Sequence, residues 1–179
     1  DNVGGRTRAL MIDMNDPNTI YAGGVSGGLF KSTDGALTWT SFDCFEIMTI
    51  VSITQAANGD IYVGTGEGNY AVTNTGGFGG GIPGDGIWKS TDGQNFNVLQ
   101  STVNGTQPGP GVGTNFDFSF VNRLGAHPTN PNVIYAATRT GIWKTEDAGL
   151  TWNRVLNLSN AGGVDLKVAK NGNIYVAGY

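Results

Sequence analysis

An aspartate turn leading into an aromatic residue occurs three times in this chain. The segments are Ser32–Trp39 (STDGALTW), Ser90–Phe96 (STDGQNF) and Thr145–Trp152 (TEDAGLTW). Each follows an apolar-aromatic-Lys strand start: Leu29-Phe30-Lys31, Ile87-Trp88-Lys89 and Ile142-Trp143-Lys144. Ser32 and Ser90 are 58 residues apart, and Ser90 and Thr145 are 55 apart. A recurrence of this size marks a repeat architecture and governs the reading of the remaining sequence.

The turn is one part of a longer unit. Upstream lies a strand with tyrosine at a fixed place: Ile20-Tyr21, Ile61-Tyr62, Ile134-Tyr135 and Ile174-Tyr175. Turn chemistry precedes each, Asp16-Pro17 and Asn130-Pro131 in two copies and Asn58-Gly59 and Asn171-Gly172 in the others. Before that turn comes another apolar strand: Ala9–Asp13, Ile50–Thr54, Leu124–His127 and Val164–Val168. The unit therefore reads strand, turn, Tyr strand, Gly-rich loop, strand, Asp turn, aromatic strand. Four antiparallel strands in succession form a meander, and meanders arranged radially are the blades of a β-propeller. A linear β-solenoid is the alternative, although its repeats are usually shorter than these.

The sequence predicts an all-β fold of four-stranded antiparallel blades at about 7–43, 49–98 and 120–156, with a half-blade at 163–179. A ring needs roughly four to eight blades, so three and a half describe a partial propeller. Alone, the half-blade presents an unpaired edge with an apolar face. The remaining blades of the same propeller, or another chain, are the expected partners there. Blade two carries a Gly-rich insertion, Gly66–Gly86, and Ser101–Asn115 separates blades two and three. Repeat proteins tend to place such insertions on a binding face.

Composition supports a folded domain. The chain has 30 glycines, four Trp, six Tyr and eight Phe, but only 13% charged residues, the opposite of a disordered segment. The net charge of −4 and scattered Lys and Arg argue against nucleic acid as a partner. No apolar run approaches the length needed to span a bilayer. Cys44 is the only cysteine, which excludes an internal disulfide and predicts a small buried apolar side chain. The chain begins at Asp1 without Met or signal peptide and reads as processed or excised.

Asp34, Asp92 and Asp147 look catalytic at first sight. An Asp at a tight turn can instead accept hydrogen bonds from the following backbone N–H groups and lock a hairpin. A carboxylate repeated in every blade fits that role better than catalysis. Ser32, Ser90 and Gly149 complete the turns, and Trp39, Phe96 and Trp152 are expected to pack their rings on the blade.

These segments resemble the Asp-box of the bacterial neuraminidase repeat, roughly Ser-x-Asp-x-Gly-x-Thr-Trp. It occurs in sialidases, xyloglucanases, sortilin-type propellers and photosystem II assembly propellers. The match departs at Ala36, where the pattern has Gly, and the second copy is one residue short before Phe96. The stretches Gly4–Gly35 and Tyr62–Asn69 resemble the start of propellers in large exported surface proteins of the Bacteroidota. That resemblance implies a secreted or cell-surface location and names no ligand.

The site candidates follow. A sialidase needs an arginine triad and a Tyr-Glu pair; Arg6, Arg8, Arg123, Arg139 and Arg154 are present, but the Phe/Tyr-Arg-Ile-Pro signature of sialidases is absent. A xyloglucanase-like glycosidase needs two carboxylates across the scissile bond, and its pattern places an Asp after the first Tyr strand. Here that loop, Gly23–Gly28, holds none. Other notable carboxylates are Asp43, Glu46, Glu67, Asp85, Asp117 and Asp165. Glu67 and Asp85 are the candidate catalytic pair and the candidate calcium ligands; no other cofactor is expected. The Gly64–Gly68 and Gly79–Gly81 runs open no helix and lack a P-loop pattern. His127, the only histidine, matches Asp13 in the repeat and reads as structural. The main expectation is a non-catalytic propeller that binds a glycan or protein through Tyr70, Phe78, Asp85 and Phe116. The alternative is part of a glycoside hydrolase, xyloglucanase- or sialidase-like, whose active site is completed by blades outside this chain.

Overall fold

The computed structural model describes residues 6–45, 49–68, 81–103, 117–158 and 164–178. Strands β1 (Thr7–Ile12), β2 (Ile20–Gly24), β3 (Gly28–Ser32) and β4 (Thr40–Ser41) form the first sheet. The second contains β5 (Ile50–Gln55), β6 (Ile61–Thr65), β7 (Ile87–Ser90) and β8 (Asn97–Val98). The third contains β9 (Val121–Ala126), β10 (Ile134–Thr138), β11 (Gly141–Thr145) and β12 (Asn153–Asn157). Strands β13 (Val164–Val168) and β14 (Ile174–Gly178) pair alone. Every pairing is antiparallel between sequence neighbours. The chain is an all-β partial propeller.

Alternation along each strand sends one set of side chains to each neighbouring sheet. In β6, Ile61 and Val63 face the first sheet, in a core with Ala9, Tyr21, Leu29 and Phe96. Tyr62, between them, faces the third sheet, in a core with Val121, Leu124 and Ile134. A third core joins Tyr135 and Ile142 to Val164 and Leu166. All five residues of β6, and all five of β10, are buried. Burying a side chain of this size contributes roughly 1.5–3 kcal/mol, so each sheet derives most of its stability from its neighbours.

Glycine lets two sheets approach closely. A Cβ on Gly64 would stand 2.7 Å from Cγ1 of Val121 on the next sheet. Inner strands are also joined by polarity: the Leu124 amide donates to the Ser52 hydroxyl across 2.8 Å.

Two expectations need correction. Trp39 does not bury its ring: it is 41% exposed, whereas Phe96 and Trp152 lie in the cores. Each of those rings packs on the preceding sheet, and among the described residues no sheet precedes the first. Cys44 is exposed rather than buried. In the extended segment after β4, Phe42 and Phe45 take the inward positions, contacting Phe96 with ring centroids 5.2 and 5.6 Å away. Cys44 is left facing outward, and partial desolvation pushes its thiol pKa up.

Candidate functional site

The aspartate turns are built alike. Asp34 Oδ1 accepts from the amides of Leu37 and Thr38 at 3.0 and 2.9 Å, and Oδ2 accepts from the Thr38 hydroxyl at 2.6 Å. Ser32 donates its hydroxyl to Asp34 and accepts from the Ala36 amide. Asp92 is held by the amides of Gln94 and Asn95, the Asn95 side chain and Ser90. Asp147 is held by the amide and hydroxyl of Thr151 and by Thr145, which also accepts from the Gly149 amide. These donors stabilise the charged carboxylate. The Thr38 hydroxyl, above all, holds Asp34 at a pKa of about 2. The Thr151 hydroxyl does the same for Asp147, also at about 2. The Asn95 amide holds Asp92 lower still. A carboxylate so engaged has no proton to exchange near neutral pH.

Antiparallel topology puts these turns at one end of each four-stranded sheet and the loops after each second strand at the other. His127 lies at the turn end, where its Nδ1 accepts from the amides of Thr129 and Asn130. Asp13 Oδ1 accepts from Asn15 and Asp16 in the same way.

Glu67 and Asp85 lie at the loop end. Glu67 is only 2% exposed, just beyond β6, and bridges to Ile82. Its two oxygens meet different arginines of the first sheet: Arg6 Nη2 at 2.5 Å and Arg8 Nη1 at 3.1 Å. Neither arginine's role could be read from sequence, because the pairing spans about sixty positions. Asp85 Oδ1 accepts from the Trp88 indole at 2.9 Å and the Thr65 hydroxyl at 3.1 Å, and the Asp85 amide donates to Thr65. The structure thus gives the two carboxylates separate tasks, one joining two sheets and one shaping the entry to β7. Two guanidinium groups against Glu67 oppose a calcium ion there electrostatically. Among the described residues, no group of three or more His, Cys, Asp or Glu converges. In the first sheet, Val25 occupies the corresponding loop, buried, with its amide on the Arg6 carbonyl.

Of the proposed ligand contacts, Tyr70, Phe78 and Phe116 lie outside the described residues, as does Glu46. Of the other carboxylates, Asp165 pairs with Arg123 at 2.6 Å. Asp43 lines a cleft that the sequence did not signal. The cleft measures about 390 Å³ and lies beside β3 and β4, between Lys31, Thr38, Thr40, Phe42, Cys44 and the Gln94 turn of the second sheet. It brings hydroxyls, one carboxylate and one ammonium together over the Phe42 ring, which itself packs on Tyr21 and Phe96.

No family model matches the chain. A xyloglucanase of Hypocrea jecorina (strain QM6a) is 35% identical over 69 residues, which is 37% of this chain and 7% of that enzyme. An ancestral GH74 enzyme superposes with a TM-score of 0.70 at 20% identity, over 99% of this chain and 22% of its own. Two Bacteroides thetaiotaomicron structures superpose comparably. One is an auxiliary nutrient binding protein (TM-score 0.65, 12% identity, 97% of this chain and 36% of that one). The other is the extracellular domain of a proposed one-component system (TM-score 0.63, 18% identity, 99% and 20%). The chain therefore spans a fraction of the length of each, and what it shares with the structures is the propeller fold.

Proposed function

We propose that the chain is a carbohydrate-binding segment of an exported β-propeller and carries no complete catalytic pair of its own. Glu67 carries this reading: among the described residues it is the one buried carboxylate at the loop end, and Arg6 and Arg8 hold it. The corresponding loop of the first sheet holds Val25 rather than an acid. Glycosidic cleavage needs a protonatable acid and a second carboxylate facing the same bond, and an arginine-clamped carboxylate makes a poor proton donor. Binding needs less. The cleft beside Phe42 and Asp43 falls in the size range of small-ligand sites, and walls of hydroxyls with one carboxylate suit the hydroxyl groups of a sugar. Tyr70 and Phe78 of the glycine-rich insertion, and Phe116 just after Ser101–Asn115, are further proposed contacts. Export to the cell surface is supported by the extracellular neighbour and by the likeness of the opening stretch to Bacteroidota surface propellers, with turns of Asp-box type. Among the described residues no helix is long and apolar enough to cross a membrane.

Affinity electrophoresis in gels containing xyloglucan or other β-glucans, alongside reducing-sugar release from the same preparation, tests the reading. Retardation without hydrolysis is expected, with Asp43→Ala weakening retardation at unchanged Tm. The similarity to a xyloglucanase over 69 residues favours a second reading, in which the chain forms part of a glycoside hydrolase. Polysaccharide hydrolysis by this chain that disappears in a folded Glu67→Gln variant would establish it and overturn the first.

A further inference from the structure

The strand that enters each aspartate turn carries a lysine at one fixed place: Lys31, Lys89 and Lys144. In two of the sheets the chain itself supplies that ammonium with a carboxylate. Lys89 Nζ lies 2.8 Å from Asp60 Oδ2, and Lys144 Nζ lies 2.5 Å from Glu146 Oε1. Asp60 immediately precedes the Tyr strand, and Glu146 lies two places after its lysine. The first sheet has threonine at both of those places, Thr19 and Thr33. The lysine head is nonetheless held alike: Lys31 Nζ stands 5.3 Å from the centre of the Tyr21 ring, as Lys89 stands 5.3 Å from that of Tyr62. Only the counter-ion differs. Among the described residues Lys31 makes no ion pair.

That difference falls on the cleft, which Lys31 and Thr33 both line. Its walls come from the first sheet and from Gln94 of the second. An ammonium has three donors, and the Gly93 carbonyl occupies one, at 3.1 Å. The neighbouring turn aspartates do not answer the others, because Asp34 and Asp92 spend their oxygens on the amides and side chains of their own turns. Asp43 also lines the cleft and, among the described residues, is in no ion pair. It is an acceptor on offer to ligand hydroxyls.

We propose that the cleft prefers an acidic sugar unit, whose carboxylate meets the Lys31 ammonium as Asp60 and Glu146 meet theirs, while Asp43 accepts from the sugar hydroxyls. This assignment rests on the cleft being a carbohydrate site and adds the charge of the sugar it takes. The chain's net charge of −4 repels polyanions at a distance, so the preference is a contact effect and short oligosaccharides are the right probe. Calorimetric titration with trisaccharides of galacturonic, mannuronic and guluronic acid, each as free acid and as methyl ester, tests it. At least one acid is expected to bind about five-fold tighter than its ester, the size of one charge-assisted contact at a half-open site. Lys31→Gln should remove that difference and leave affinity for the ester unchanged. Thr33→Glu, at an exposed position, installs the acid that the third sheet has at Glu146 and should remove the difference with the lysine still present. Asp43→Ala should weaken acid and ester alike. Unchanged circular dichroism and Tm will show that each variant folds, and Thr33→Glu decides the matter if loss of the Gly93 bond destabilises Lys31→Gln. Equal affinity for acid and ester, or a preference for the ester, overturns the proposal and leaves carbohydrate binding standing. A preference for the acid that survives both Lys31→Gln and Thr33→Glu overturns it too. Failure to bind any acid or ester overturns it, and carbohydrate binding falls with it only if β-glucan gels also fail to retard the chain.

Discussion

At the scale of the residue, each turn places two demands on its sequence: a carboxylate that stays charged, and backbone that turns left-handed. The second demand is visible in Ala36, held at φ 73°, and in Ala148, at φ 58°. L-residues pay about 1–2 kcal/mol for that conformation and glycine does not. Ala36→Gly is therefore expected to raise stability by roughly 0.5–1 kcal/mol once the greater freedom of glycine in the unfolded chain is discounted, measured by urea unfolding. The first demand fixes an acid limit. Asp34 and Asp147 have folded pKa values of about 2, below the ordinary aspartate value. Their contribution is complete above the unfolded pKa near 4, and it is lost as pH falls through the folded values. Tm should be level at mildly acidic pH and fall between about pH 4 and pH 2. The Asp34→Asn/Asp147→Asn variant should start lower and fall less steeply over that window. Equal slopes for the two proteins would place the acid-sensitive groups elsewhere.

At the scale of the element, the joint between sheets is the unit of design, and it divides what sequence reveals from what it hides. The periodic Tyr strand, the Asn-Gly and Asp-Pro turns and the aspartate turn are all local, so strands and their meander order were legible from residue patterns alone. The exposure of Trp39 and Cys44 was not, because a side chain's burial depends on which neighbour stands opposite. The clamp of Arg6 and Arg8 on Glu67 was hidden for the same reason, being a contact between sheets with no local signature, and with it went the availability of Glu67 for chemistry. The joint itself can be probed. Tyr62→Phe removes the bond to the Ala148 carbonyl while keeping the ring, and should cost about 0.5–1.5 kcal/mol. Tyr175→Phe on the exposed strand β14 should leave the unfolding midpoint of the monomer unchanged. Gly64→Ala, which drives a methyl into Val121, should cost roughly 1–3 kcal/mol by overpacking. A neutral Gly64→Ala would mean that the second and third sheets separate easily.

At the scale of the whole molecule, the main contacts between sheets among the described residues run between sequence neighbours, so stability is set by how many faces are covered. Among the described residues, the second and third sheets are covered on both faces and the first and last pairings on one. Local opening should follow that gradient, since amides exchange through the cheapest opening that frees them. Hydrogen exchange is expected to be slowest for Ile61–Thr65 and Ile134–Thr138, whose side chains are entirely buried. Strand β4, two residues long and exposed, and β14, with the exposed Tyr175 near its start, should exchange far faster. Strand β1 should fall between them, because Ala9 is buried against the second sheet while Leu10 is bare. A uniform rate across all four pairings would show that the sheets do not open in the order their faces are covered.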